Sequence, residues 1–148
     1  MKVAVASDHR GFDAKVQVRT YLETAGHNVT DFGCNNASSC DYPDTGLPGA
    51  LAIASGECDR GIFFCGTGIG MAMTANKVRG IRAALCHDEL TAEMSRRHNN
   101  ANVLCLPADL LGDELIRRVV DVWLRTDYEG GRHDRRLQKI TEFEQKGC

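Results

Sequence analysis

The sequence has no long apolar run: nothing in its 148 residues approaches the roughly 18 consecutive apolar positions that a bilayer span requires. The opening residues, Met-Lys-Val-Ala-Val-Ala, also lack the longer apolar core of a secretion signal, so a cytoplasmic protein with no membrane partner is expected. Seven cysteines are present, at 34, 40, 58, 65, 86, 105 and 148, yet no C-x-x-C pair occurs. An odd number without that spacing points to free thiols, not to a disulfide framework or a structural zinc site. Charge of one sign is not concentrated either: residues 1–74 hold five Lys/Arg against eight Asp/Glu, and residues 75–148 hold thirteen against twelve. That balance offers no footprint for nucleic acid and no polybasic anchor. Repeats and low-complexity segments are missing too. What remains is a chain 43% apolar and 26% charged, the composition of one soluble domain with a real core.

Familiar phosphate motifs are also absent. A dinucleotide fingerprint G-x-G-x-x-G read from Gly66 would need glycine where the chain has Met71, and no Walker loop G-x-x-x-x-G-K-[ST] occurs. A phosphocysteine loop C-x5-R read from Cys65 would need arginine at that same Met71. NAD is therefore disfavoured, and ester hydrolysis through a phosphocysteine is rejected.

Against these absences stands the stretch from Gly61 to Asn76, which reads as a buried strand, a glycine-rich turn and a helix. Ile62, Phe63 and Phe64 form the continuous apolar run of a strand covered on both faces, and Gly66, Gly68 and Gly70 then remove three Cβ atoms where the backbone turns. A helix is expected from near Met71. Its first amides and those of the turn lack intrahelical partners and suit a phosphate or a developing oxyanion. Cys65 ends the strand beside this nest, in a positive potential that favours thiolate over thiol, and Thr67 adds a hydroxyl. A cysteine closing an apolar strand can equally be packing alone. The attached Gly-Thr-Gly-x-Gly turn tilts the reading toward function. A Cys65 thiolate could abstract a proton from carbon beside a carbonyl while Thr67 and the amides from Gly66 through Gly68 and Ile69 to Gly70 take the charge that gathers on oxygen.

Apolar strand candidates at Lys2–Ala6, Asn28–Phe32, Ile62–Phe64, Arg82–Cys86 and Val103–Leu106 alternate with helical patterns. Asp13 can cap a helix to about Ala25 with Gly26 as its terminator, and Pro48 fits the first turn of a helix to about Ser55. His87-Asp88 opens a helix toward His98; Leu115, Ile116, Val119, Val120, Trp123 and Leu124 trace an amphipathic one; a last helix begins near Arg132. Right-handed βαβ units of this kind build a parallel, doubly wound α/β sheet with helices on both faces. Ligands collect at the carboxyl ends of such strands. The suspects are then Asp8 and His9 after the first strand, Tyr42 after the second, Cys65 to Gly70 after the third, His87 after the fourth and Asp109 after the fifth.

Several residues admit a plain reading beside the functional one. Asp8-His9 is either a charge-oriented histidine or a turn in which Asp8 satisfies backbone amides. His98, next to Arg96 and Arg97, suits a solvated helix end, while Arg132 and Arg136 share a helical face and can grip a phosphate or simply be exposed. Tyr42 and Asn99 have little local support, and His27 and His133 look like surface histidines. Cys86 beside His87, or Cys34 near Cys40, offers only a weak case for metal.

Taken together, Ser-Asp-His-x-Gly-Phe near the start, Asp-Tyr-Pro in the second loop, Cys-Gly-Thr-Gly-Ile-Gly with Ala-Asn-Lys, Arg-His-Asn before the fifth strand and Glu-Gly-Gly-Arg-His-x-x-Arg near the end are distinctive. The chain resembles the ribose-5-phosphate isomerase B family, which also holds the galactose-6-phosphate isomerase subunits. The resemblance spans nearly all of residues 1–148 as a single sugar-phosphate isomerase domain, and implies a Rossmann-like three-layer sandwich with a five-stranded parallel sheet. It implies a homodimer or dimer of dimers with sites at the subunit interface, and a metal-independent, cofactor-free interconversion of ribose 5-phosphate and ribulose 5-phosphate. By residue it implies Cys65 as the base, Thr67 and the Gly66–Gly70 amides on the enediolate, and His98 with Asp8 at ring opening. His9, Arg132 and Arg136 look like the phosphate grip, and Asn99 and Tyr42 like sugar contacts. One departure is Asp109, which stands in a loop where some members carry a phosphate-binding arginine. It keeps other phosphosugars open: galactose 6-phosphate, allose 6-phosphate or a tetrose phosphate. A non-catalytic flavodoxin-like binding module is the competitor from another class.

Overall fold

The structure, a computed structural model, describes residues 1–147. Five strands, β1 Lys2–Ser7, β2 Asn28–Asp31, β3 Arg60–Cys65, β4 Ala83–Leu85 and β5 Val103–Pro107, pair in parallel in the order β2-β1-β3-β5-β4. Between and after them run α1 Phe12–Thr24, α2 Tyr42–Ala54, α3 Ile69–Ala75, α4 Glu89–Arg97 and α5 Asp113–Arg125, and a 3-10 turn at Gly131–His133 leads into α6 Asp134–Gln145. This is the expected α/β sandwich. Among the described residues no helix is long and apolar enough to cross a membrane.

Side chains of a strand alternate between faces, so each central strand feeds two cores. Val3, Val5, Ile62, Phe64, Leu104 and Leu106 pack under α1, α4 and α5 around the fully buried Trp123. Ala4, Ala6, Phe63, Val103 and Cys105 pack under α2 and α3, and Cys65 belongs to this second set. The side of the sheet on which the thiol lies is therefore settled by its register in β3.

Local chemistry corrects three boundaries. Helix α2 starts at Tyr42, six residues before Pro48, because Pro43 already fills the first turn. Pro48 sits one turn further in, where its missing amide would have faced the carbonyl of exposed Asp44, a group that water can satisfy. Asp13 does not cap α1; Asp8 does the nearby work, its Oδ1 accepting from the amides of Arg10 at 2.9 Å and Gly11 at 3.0 Å. Helix α3 begins at Ile69, ahead of Met71, because Gly68 at φ 73° turns the chain just before it.

Layer spacing on the α2 face depends on absent side chains. A Cβ on Gly49 would lie 2.8 Å from Cζ of Phe63, which is fully buried. Gly49→Val is expected to lower unfolding stability by about 2–3 kcal/mol through overpacking, read as a lower urea midpoint at unchanged m-value.

Candidate active site

The groups expected to act together occupy two ends of the sheet. At the carboxyl edge, β1 and β3 are neighbours, so Asp8 and His9 come beside Cys65 although more than fifty positions of sequence lie between them. Cys65 is 3% exposed and its carbonyl accepts from Ala108 at 2.9 Å, which ties the end of β3 to the loop after β5. The following turn admits no side chains: a Cβ on Gly68 would sit 2.4 Å from Cδ1 of Leu85 and 3.1 Å from the carbonyl carbon of Leu106. A Cβ on Gly70 would touch the Tyr42 ring at 2.9 Å, so Tyr42 lies over the turn. Among the described residues, the amides of Gly66, Thr67, Gly68 and Gly70 have no protein acceptor. The Ile69 amide has only a long 3.4 Å bond to the Thr67 hydroxyl, which is itself exposed. A row of unpaired donors beside a thiol can hold negative charge on an oxygen.

Asp8 is 6% exposed and matches its turn reading through Oδ1. His9 Nδ1 lies 3.2 Å from the Cys40 carbonyl and 3.4 Å from the Cys40 amide. Sequence reasoning missed Arg10. Its Nε donates to Asp109 Oδ2 at 2.6 Å, and the pair lies over Gly66, where a Cβ would meet Asp109 Oδ2 at 2.5 Å and Arg10 Nε at 2.8 Å. Asp109 thus enters the mouth of the turn with its charge answered by Arg10. Nothing local to Ser-Asp-His-Arg announces a partner 99 positions away.

His98, Asn99, Arg132 and Arg136 are elsewhere. Helix α4 runs back against the strands, so its last turn and the residues before β5 stand at the amino edge of the sheet. β3 has six residues, which separates the two edges by about 17 Å at 3.3 Å per residue. Asn100, at φ 45°, closes α4, and Arg96 locks that end by donating to the carbonyls of Ala101 at 2.5 Å and Thr126 at 3.3 Å. Burial, mainly, pulls the Arg96 guanidinium down to about 10, with Arg60 and Arg82 adding to the effect. The Arg97 carbonyl accepts the Glu129 amide at 3.0 Å, bringing residues 129–133 against His98.

His133, read from sequence as a surface residue, is 5% exposed and stacks on His98 with ring centroids 4.3 Å apart and planes 14° apart. Arg132 and Arg136 are exposed beside it. Hydrogen bonding to Arg97 holds the Glu129 carboxyl below its usual range. One nitrogen each of His98 and His133 and one oxygen of Glu129 lie within 4.8 Å of one another, a spacing open to a metal ion. Stacked imidazoles direct their in-plane lone pairs side by side, however, and Arg97, Arg132 and Arg136 surround them. Such a field suits an anion better than a cation. Cys86 and His87 diverge as well, one buried and the other exposed.

Fold and geometry define a doubly wound α/β protein with a cysteine and an amide nest at the end of a central strand. The model of the ribose/galactose isomerase family matches residues 3–140. Ribose-5-phosphate isomerase B of Escherichia coli (strain K12) is 43% identical over 145 residues, covering 98% of this chain and 97% of the relative. D-erythrulose-4-phosphate isomerase of Pectobacterium atrosepticum is 40% identical over 145 residues, 97% of this chain and 95% of the relative. The solved structure of Clostridium thermocellum ribose-5-phosphate isomerase B superposes with a TM-score of 0.98 at 48% identity, covering 100% of both chains. The chain belongs to the ribose/galactose isomerase family, and it is an isomerase.

Enclosure lowers the pKa of His133 from its ordinary 6.5, and His98, Arg132 and Arg136 press the same way while Glu129 opposes them. Below that ordinary value the unfolded chain binds the proton that the folded chain resists, so unfolded molecules hold more protons and stability falls as the pH is lowered. The contribution is complete above the unfolded pKa and is lost as pH drops toward the folded one. The melting temperature is expected to fall from about pH 7.5 to about pH 5.5, and His133→Asn to flatten that slope.

Proposed function

We propose that the protein interconverts D-ribose 5-phosphate and D-ribulose 5-phosphate through an enediolate, in a homodimer whose sites are each assembled from two chains. The observation that carries the reading is the division of the expected groups between opposite edges of one sheet. A substrate the size of a pentose phosphate cannot reach from Cys65 to His98 of the same chain, so a second copy must bring His98, Asn99, Arg132 and Arg136 to the first copy's thiol. Apolar surface supports this arrangement. Leu47 and Leu51 on α2, and Ile69 and Met73 on α3, stand in i, i+4 pairs and remain exposed, flanking the turn. Helix α6 offers Ile140 and Phe143, both exposed. An isologous dimer covers such faces and creates two equivalent sites.

Within each site, His98 of one copy assists ring opening, with Asp8 of the other nearby. Cys65 takes the proton from the carbon beside the carbonyl and returns it to the neighbouring carbon, so C1 and C2 exchange oxidation state without any redox cofactor. The Gly66–Gly70 amides and Thr67 hold the charge on the enediolate oxygens. Tyr42 and Asn99 contact the sugar, and His9, Arg132 and Arg136 hold the phosphate. Turnover persists in excess EDTA on this reading.

A second substrate has its own support. The relative acting on a four-carbon phosphate is nearly as similar as the ribose-5-phosphate isomerase, and the Arg10–Asp109 pair intrudes on the mouth of the turn, where it would favour a shorter sugar. Comparing kcat/KM for ribose 5-phosphate and erythrulose 4-phosphate decides between them.

Cys65→Ala is expected to abolish solvent exchange of the substrate C2 proton, and His98→Asn to impair turnover of the cyclic sugar. Co-expressed at equal levels, the two variants should recover about a quarter of wild-type activity, because half the dimers are mixed and each mixed dimer holds one intact site. A mixture as inactive as its components would remove the shared-site reading. Arg132→Ala and Arg136→Ala should chiefly raise KM for phosphorylated sugars, and an equal loss on unphosphorylated sugars would remove them from the phosphate.

A further inference from the structure

Two thiols that the isomerase reading does not use face each other beside the site. Cys34 and Cys40 lie in the loop between β2 and α2, and Cys40 Sγ donates to Cys34 Sγ at 2.6 Å. Both ends of this loop are held. The Cys34 amide donates to the Ser7 carbonyl at 3.1 Å, and the buried Lys15 ammonium donates to the carbonyls of Gly33 and Cys34 and to Asp31. Cys40 meets His9 through both its amide and its carbonyl. The sulfurs therefore meet between two anchored stretches of backbone. Cys58, Cys86 and Cys105 are each buried, Cys105 within the sheet itself.

We propose that Cys34 and Cys40 form a redox modification site, closing to a reversible disulfide under peroxide and thereby weakening substrate binding through His9 and Tyr42. One sulfur of the pair, as its anion, attacks one oxygen of hydrogen peroxide; an S–O bond forms, the O–O bond breaks, and the departing hydroxide leaves as water with a proton from solvent. The other sulfur then attacks the sulfenic sulfur. An S–S bond forms, the S–O bond breaks, and the proton of that second thiol leaves with the second hydroxide as water. The two sulfurs lose two electrons and the peroxide gains two. Cys34 is buried while Cys40 is half-buried, which leaves the pair open to a small oxidant on the Cys40 side.

Closure pins the Cys40 backbone covalently to Cys34, so that it can no longer adjust when a substrate arrives. That backbone holds His9 Nδ1, and Tyr42 opens α2 only two residues later with its ring over Gly70. The effect on turnover rests on reading His9 and Tyr42 as substrate contacts, whereas the cross-link itself does not.

The full-length protein is titrated with hydrogen peroxide, its free thiols are alkylated, and unreduced peptides are mapped by mass while KM and kcat are measured on ribose 5-phosphate. A Cys34–Cys40 linked peptide should form before Cys65 is oxidised, with KM raised at least about fivefold, the lower end of ordinary coupling between sites. Dithiothreitol should restore both. Cys34→Ser should keep its basal KM at the same peroxide dose. Oxidation of Cys65 without a linked peptide, or a linked peptide with KM unchanged, overturns the proposal. Should the protein not turn over ribose 5-phosphate at all, the peptide map alone decides whether the disulfide forms.

Discussion

A parallel sheet obliges the chain to return to the same edge before every strand, and that polarity governs this molecule. Whatever follows a strand gathers at one edge, and whatever closes a helix gathers at the other. Cys65, Asp8, His9 and Tyr42 belong to the first set, His98, Asn99 and the residues from 129 to 136 to the second. No side-chain rearrangement spans the length of a β-strand. The proposed reaction, which draws on both sets, therefore calls for two chains.

The two edges also differ in how they are held. At the carboxyl edge, close packing dominates: Gly68 presses on Leu85 and the β5 backbone, Gly70 on the Tyr42 ring, and Gly66 lies under the Arg10–Asp109 pair. Among the described residues, the amides of Gly66, Thr67, Gly68 and Gly70 stay bare in this crowded turn. At the amino edge, charge dominates. Arg96 is buried among carbonyls, Glu129 is bound by Arg97, and His133 resists protonation because it is enclosed and, secondarily, because His98 and two arginines lie beside it. One edge holds unpaired donors and the other an excess of positive charge, which in the proposed reaction would meet the enediolate oxygens and the phosphate respectively.

Much of this was legible in the sequence, for reasons that can be named. Ile62-Phe63-Phe64 and Val103–Leu106 are too continuously apolar for any place but the middle of a sheet covered on both faces. Gly26 ended α1 where expected, with φ 85°. The start of α2 was misjudged because Pro43 and Pro48 both satisfy the local rule for a first turn, and only the Thr45 hydroxyl, bound to the Ser7 carbonyl at 2.9 Å, reveals which turn docks on β1. His133 was misread because a single histidine between charged neighbours carries no sign of the ring that will stack on it.

The sequence by itself determined the alternation of strands and helices, the glycine turn behind Cys65 and the family, because each is written in residues close together along the chain. Only the tertiary structure decided the strand order with β5 between β3 and β4, the answering of Asp109 by Arg10, the stacking of His98 on His133 and the separation of the two sets of site residues. These are contacts between positions far apart in the chain. Their existence depends on how layers pack and in which direction each strand runs, and no local pattern of residue types encodes either.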